Sequence, residues 1–266
     1  MNPTRYDFHI HTKYLRCANE TMEVPAIIGR CAALGVKTLA ITDHLNTLET
    51  LDLHRQIRRD IEALDTDLEV YFGVELNFMS CDGPFAFNED VKREYGFQFA
   101  IGGIHATYVD RYDLDAIVAI QHRHHLKACE DPLLDVLVHP YWLSKGEFDR
   151  RGWTLPSNMR AVPESLTREL GQAARETGTA IEINAEANLC APHLSKDLVS
   201  EYIDYLAILA DEGVTFSVGS DAHDIRQLDD IREAWNVLER LHIPAERIFR
   251  PPGAPLFGGN RSKAGV

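Results

Sequence analysis

Six of the twelve histidines in this 266-residue chain, together with two carboxylates, stand at the ends of short apolar runs. His9 and His11 end Tyr6-Asp7-Phe8-His9-Ile10-His11, His44 ends Leu39-Ala40-Ile41-Thr42-Asp43-His44, and Glu75 ends Val70-Tyr71-Phe72-Gly73-Val74-Glu75. His105 follows Ala100-Ile101-Gly102-Gly103-Ile104, His139 follows Val136-Leu137-Val138, and Asp221 and His223 follow Phe216-Ser217-Val218-Gly219-Ser220. Solvated or core histidines have no reason to collect at such positions. Imidazoles mixed with carboxylates suit borderline or moderately hard divalent ions such as zinc, manganese or iron. His9 and His11 alternate along an extended segment, so their side chains share one face, and Asp221 and His223 repeat that spacing. Zinc commonly takes four ligands and a catalytic ion leaves one position open, so this many donors implies two or three ions. Glu75 is of the type that can bridge two of them.

The runs have the length and β-branched content of buried strands, so each polar terminus marks where a strand gives way to a loop. Strands are predicted to begin at Tyr6, Thr38, Glu69, Phe97, Asp135, Ala180 and Thr215. Amphipathic helical segments fill the intervals over residues 24–34, 50–64, 113–129, 164–177, 196–211 and 227–241. Pro25 falls in a first turn, and Gly35, Gly178 and Gly213 follow last periodic residues. Such alternation predicts a parallel sheet with crossover helices. An open sheet gathers ligands at one switch point, whereas a closed barrel brings all its C-terminal strand ends around one mouth. Candidates here come from every run but the sixth. The expected fold is therefore α/β, a TIM-like (β/α)7 barrel with the metal site at the C-terminal mouth. The sixth run, Ala180-Ile181-Glu182-Ile183-Asn184, places Glu182 and Asn184 behind the ligands, and Asp7 and Asp43 are expected to orient imidazoles.

One barrel domain is expected over residues 1–250, with a Pro- and Gly-rich tail over 251–266 that adds nothing to the core. No apolar stretch is long enough to cross a bilayer, and the N-terminus lacks a basic region followed by an apolar segment, so neither membrane insertion nor secretion is expected. Five cysteines without a CxxC pair fit a reducing, cytoplasmic compartment. A formal net charge of −14 disfavours extended nucleic acid as a partner and leaves a small phosphorylated metabolite open.

The set DFHIHT, ITDH, GVEL, GGIHA, LVHP and GSDAH resembles the polymerase and histidinol phosphatase (PHP) superfamily from His9 almost to His223. The resemblance implies a distorted seven-stranded barrel that holds up to three metal ions and hydrolyses phosphate esters. Carried over by motif, His9, His11, Glu75 and Asp221 would hold a first ion, Glu75, His105 and His139 a second, and His44 and His223 a third. The family usually places a further histidine in the loop after its HxH pair, and Cys17 stands there in this chain. A thiolate is a good zinc ligand, so Cys17 is expected to alter metal preference at the third site.

Two ions bridged by Glu75 would lower the pKa of a shared water toward neutrality, which makes water the expected nucleophile, with Asp221 and Glu75 as the catalytic carboxylates. Lys13 and Arg16 in the first loop, and Arg150 and Arg151 after the fifth strand, are the candidates for binding substrate phosphate. The remaining histidines lie away from strand ends, and His122, His124 and His125 are expected to form a solvated helical face. Segments 80–95 and 144–162, which carry Phe85, Phe87, Phe148 and Trp153, exceed ordinary βα loops and are candidate substrate walls. The expected activity is hydrolysis of a small-metabolite phosphomonoester, with histidinol phosphate the substrate the resemblance implies. Nucleotide, cyclic phosphodiester or nuclease activity is the alternative, and a non-catalytic metal-binding or regulatory protein is a second one.

Overall fold

β-Branched and aromatic residues build eight strands, β1 (Tyr6–Asp7), β2 (Thr38–Ile41), β3 (His44–Leu45), β4 (Glu69–Asn77), β5 (Phe99–Gly103), β6 (Val136–Leu137), β7 (Ala180–Asn184) and β8 (Phe216–Gly219). The structure is a computed structural model describing residues 5–78 and 87–257. Among the described residues, eight helices alternate with the strands: α1 (Val24–Leu34), α2 (Leu51–Glu62), α3 (Glu89–Tyr95), α4 (Leu114–Glu130), α5 (Lys145–Arg151), α6 (Glu164–Thr177), α7 (Lys196–Asp211) and α8 (Ile231–Arg240).

Every strand pair is parallel, in the order β1-β2-β4-β5-β6-β7-β8, with β3 pairing β4 as a continuation of β2. Backbone bonds cross the seam between the first and last strands: Phe8 N donates to Val218 O at 2.9 Å, Asp221 N to His9 O at 2.8 Å and His11 N to Ala222 O at 3.3 Å. The sheet therefore curls into the expected TIM-like barrel. Its strands are buried on both faces, with Phe8, Leu39, Phe72, Ile101, Ile181 and Val218 all within the core.

Three expectations are corrected. Segments 80–95 and 144–162 are not simple loops, because α3 and α5 occupy parts of them. Asn88 and Ser144 cap these helices by accepting from Val91 N and Glu147 N, and Gly96 and Gly152 end them at positive φ. Phe85 lies outside the described residues. His122, His124 and His125 are buried rather than solvated, since they continue the inward stripe of Ile117, Gln121 and Ala128 on α4. His122 Nδ1 lies 2.9 Å from Tyr141 Oη and its Nε2 lies 3.0 Å from Glu169 Oε2. The start of the tail is structural as well. Phe257 and Val70 exchange backbone bonds, and Gln98 Nε2 donates to Ala254 O at 2.6 Å. Just ahead of the tail, Phe249 N donates to Phe216 O, and the Phe249 ring meets Phe8 and Phe99, each at 5.9 Å between centroids. This segment covers the N-terminal end of the barrel, opposite the expected site. Among the described residues, no helix is long and apolar enough to cross a membrane.

Candidate metal centre

The ends of the strands deliver their side chains to one place. At the end of β1, Asp7 Oδ1 accepts from Ser220 N at 2.9 Å, which ties the first strand end to the last. Asp43, between β2 and β3, accepts from Thr12 N and Oγ1 at 3.0 and 3.1 Å. Asp7 and Asp43 thus clamp the loops that carry His9, His11 and His44, and do not orient imidazoles as expected, because both carboxylates turn toward backbone amides. Glu182 at the end of β7 does orient one. Its Oε1 lies 2.8 Å from His9 Nδ1, while its Oε2 accepts from His139 N at 3.0 Å and Asn184 Nδ2 at 2.9 Å. Fixing His9 through Nδ1 turns its Nε2 toward the centre.

Two glycines make room for this packing. A Cβ at Gly219 would stand 2.2 Å from Glu182 Oε1 and 2.3 Å from His9 Cβ, and one at Gly103 would stand 2.6 Å from His139 Cε1. His139 and Asp221 themselves adopt left-handed backbone, with φ of 32° and 56°. Such conformations cost free energy in non-glycine residues and concentrate at functional sites.

Glu75 sits in the middle, fully buried. Its Oε2 lies 2.7 Å from His44 Nδ1 and 3.4 Å from both His9 Nε2 and His11 Nε2, and its Oε1 lies 3.1 Å from His105 Nε2 and 3.2 Å from His139 Nε2. Asp221 Oδ1 is 3.1 Å from His11 Nε2 and 3.4 Å from His9 Nε2, while Asp221 Oδ2 accepts from Asn184 Nδ2 at 3.1 Å. Burial opposes ionisation of Glu75, but His44, His9 and His105 hold its carboxyl well below the usual range. Burial likewise opposes a charged His9, yet Asp221, Glu182 and Glu75 hold it well above the usual imidazole range.

Donor atoms converge here in three groups, within each of which all atoms lie within 4.8 Å of one another: His9, His11 and Asp221; His44, Glu75 and His105; and His11, Cys17, His44 and His223. His139 joins them through Glu75. The structure thus brings together all nine candidate ligands. It places His44 beside Glu75 in addition to the grouping with His223 and Cys17 that the motif carry-over implies.

The residues present fit divalent metal. His9 Nε2 and His11 Nε2 are 3.0 Å apart, and of two facing imidazole nitrogens only one can donate. Glu75 Oε2 is buried with no aligned hydrogen-bond donor. So many nitrogen and carboxylate donor atoms facing one centre, more than the available protons can pair, are what a cation satisfies.

Residues 7–186 match the PHP domain family. The chain belongs to that family. This PHP chain is also 25% identical over 242 residues to the DNA polymerase/3'-5' exonuclease PolX of Bacillus subtilis (strain 168), a match covering 85% of the chain and 35% of that protein. It spans about a third of the length of that curated relative. Among solved structures, it is similar to Yersinia pestis dihydropteroate synthase in complex with a sulfonamide drug, with a TM-score of 0.45 and 14% identity over 91% of this chain and 96% of that one. A D-hydantoinase aligns with a TM-score of 0.43 and 14% identity over 81% of this chain and 46% of that one.

Around the PHP centre, the expected phosphate binders divide. Lys13 Nζ pairs with Glu23 at 2.7 Å and Glu20 at 3.6 Å. Arg151 pairs with Glu147 at 3.0 Å, donates to Val109 O at 2.9 Å and lies over the Trp153 ring. Both are engaged by neighbouring carboxylates while keeping part of their side chains in solvent, and Arg150 is exposed on α5. Arg16 is different: it is exposed, adopts φ of 60°, makes no ion pair among the described residues and precedes Cys17.

Sequence reasoning passed over Trp142, Glu186 and Asn188. The Trp142 ring stands 5.4 Å from His139 and 6.0 Å from His105. Glu186 and Asn188 lie on a π-helical turn (Glu186–Cys190) directly after β7. An aromatic residue three places past the His139 ligand motif was the available signal. The turn had none, since Glu186-Ala187-Asn188-Leu189-Cys190 follows no period.

Proposed function

We propose that this chain is a metal-dependent phosphoesterase that hydrolyses a phosphate ester of a small metabolite. The observation that carries the reading is the placement of Glu75, whose two oxygens face separate sets of imidazoles and can bridge two ions. Divalent ions held by these residues would supply an acidified water and positive charge against the phosphoryl oxygens. Glu182 and Asn184 hold His9, His139 and Asp221 in the orientation that points donor atoms inward. Burial opposes ionisation of Asp221, yet His9 and His11 hold its carboxyl well below the usual range, which suits it to hold a cation as a charged ligand. His44, His105 and His223 keep part of their side chains in solvent, which gives substrate its approach. Arg16, exposed and next to Cys17 of the third donor group, is a cation that could meet phosphate.

A histidinol-phosphatase-like substrate is one case of this reading. A nuclease or nucleotide hydrolase is the second reading, favoured by the match to a relative named as an exonuclease and opposed by the net charge of −14.

Metal analysis paired with a screen of phosphomonoesters, cyclic phosphodiesters and oligonucleotides tests the choice. Phosphomonoester turnover is expected, and Glu75→Ala should cut it more than about a hundredfold, beyond the loss usual for groups that only support ligands. Turnover of oligonucleotides or cyclic diesters alone would favour the second reading. Bound metal without any turnover would leave a non-catalytic metal-binding protein.

A further inference from the structure

No second side chain holds the His139 ring from behind. Its Nδ1 is buried without a hydrogen-bond partner, whereas Glu182 fixes His9 through the same atom. Nor does the sheet hold the residue, because β6 ends at Leu137 and the bond that follows it runs from Val138 N to Gly102 O at 2.9 Å. The aim of the ring is therefore set by its backbone, which takes φ of 32° and opens a turn in which Tyr141 takes φ of 59°. Left-handed backbone at two non-glycine residues so close together costs free energy and persists only where the surroundings over-determine it.

Those surroundings come from α4 and α7. Gln121 Nε2 donates to Trp142 O at 2.9 Å and Tyr202 Oη donates to Pro140 O at 3.3 Å, which fixes two carbonyls of the turn. Tyr141 is held by its side chain instead. It is buried, its Oη lies 2.9 Å from His122 Nδ1, and its ring meets His125 edge-on at 4.7 Å between centroids. His122 Nε2 lies in turn 3.0 Å from Glu169 Oε2 on α6. A carboxylate only accepts, so in a neutral His122 ring Nε2 carries the proton and Nδ1 accepts from the Tyr141 hydroxyl. His122 and His125 belong to none of the three donor groups, so the histidine-rich run on α4 has no use as a ligand set. Its position behind the turn gives it another.

We propose that His122 and Tyr141 are positioning residues for the metal centre: bonded to each other, they brace the left-handed turn from α4 and so aim His139 Nε2 at Glu75, 3.2 Å away. The inference rests on the metal-centre part of the reading above and is indifferent to which ester is hydrolysed. Of the two bonds that His122 makes, the one to Tyr141 carries the brace. The one to Glu169 fixes the tautomer that makes it.

Asparagine and glutamine separate those two bonds, because an asparagine amide overlays Nδ1 of the histidine it replaces and a glutamine amide overlays Nε2. Zinc titration of the full chain, followed at the ring nitrogen signals of His139 and His223 by NMR, reads the two sides of the centre separately. Tyr141→Phe and His122→Gln should each weaken zinc at His139 at least about tenfold, the lower bound for groups that orient ligands. His122→Asn, which keeps a partner for Tyr141 Oη, should restore wild-type affinity there, and His223 should respond alike in all four proteins. A group that only supported the fold would lower Tm and weaken both sides together, and would not tell the two amides apart. In metal-free protein, the Cα and Cβ chemical shifts of His139 report the turn directly. His122→Gln and Tyr141→Phe should move them toward extended-backbone values, and His122→Asn should not. Tyr141→Phe removes one oxygen and leaves the packing, so it carries the test where a His122 variant does not fold. Unchanged zinc affinity at His139 in Tyr141→Phe, or equal effects of the two amides at His122, overturns the proposal. Shifts that respond as expected in a chain whose wild type takes up no zinc would instead count against the metal-centre reading and leave the brace standing.

Discussion

The Glu182 carboxylate meets His9 Nδ1, the His139 amide and the Asn184 side chain at once. Glu182→Gln keeps its shape but offers an acceptor on one side only, so one of these partners loses its hold. Metal affinity measured by chelator competition should fall about 10–100-fold, the range for groups that orient ligands. Unchanged affinity would mean that packing alone positions His9. Cys17 poses the opposite question, because it belongs to a donor group with three histidines. Although the residue is exposed, desolvation of its sulfur by the surrounding side chains, and then the carboxylates of Asp43 and Glu75, push the metal-free thiol up to about 12. A bound cation is what would make it a thiolate. In cobalt-substituted protein, a sulfur-to-metal charge-transfer band is expected that Cys17→Ser lacks, while Cys17→His retains full metal content without the band. A spectrum indifferent to both changes would show that sulfur is not a ligand.

Helix α2 carries a residue whose burial has a cost in acid. His54 is fully buried, its Nε2 lies 3.1 Å from His44 O, and burial lowers its pKa from 6.5 to about 4. The folded state therefore takes up this proton later than the unfolded chain as pH falls. Stability present above about pH 6.5 is lost on the way down to about pH 4. By urea denaturation, His54→Gln should lose about 2 kcal/mol less than wild type between pH 7 and pH 5. An identical loss in both proteins would remove His54 from acid sensitivity. Elements of this size were legible where the chain punctuates them. α1, α6 and α7 fall on their predicted bounds, since their apolar stripes run for three turns or more between clear starts and stops. α3 and α5 span only seven residues each, too few for a 3.6-residue period to register, and only their caps announced them. The ligand positions were legible because parallel strands must end at one face. Glu182 could be placed behind them by its run, but the approach of Trp142 to His105 and His139 comes from loops that meet only in the folded chain.

At the scale of the molecule, the barrel has a chemical end and a structural end. Phe249 covers the latter, packed edge-on against Phe8. Phe249→Ala should cost about 2–4 kcal/mol of unfolding free energy, by the large-to-small rule. Metal content and kcat/KM should stay at wild-type values, and a loss of metal in a fully folded variant would refute the separation of the two ends. The seam has a consequence for how the protein is made. His11 and Asp221 meet across 210 positions of sequence, with the barrel's first and last strands bonded beside them. A ribosome releases His9 and His11 early and Asp221 and His223 only after nearly every other strand has appeared. Until then the emerging chain can offer an ion a partial set of donors at most. Tight metal uptake is thereby deferred to the closing of the barrel, and a chain halted partway through synthesis would carry the histidines without the centre.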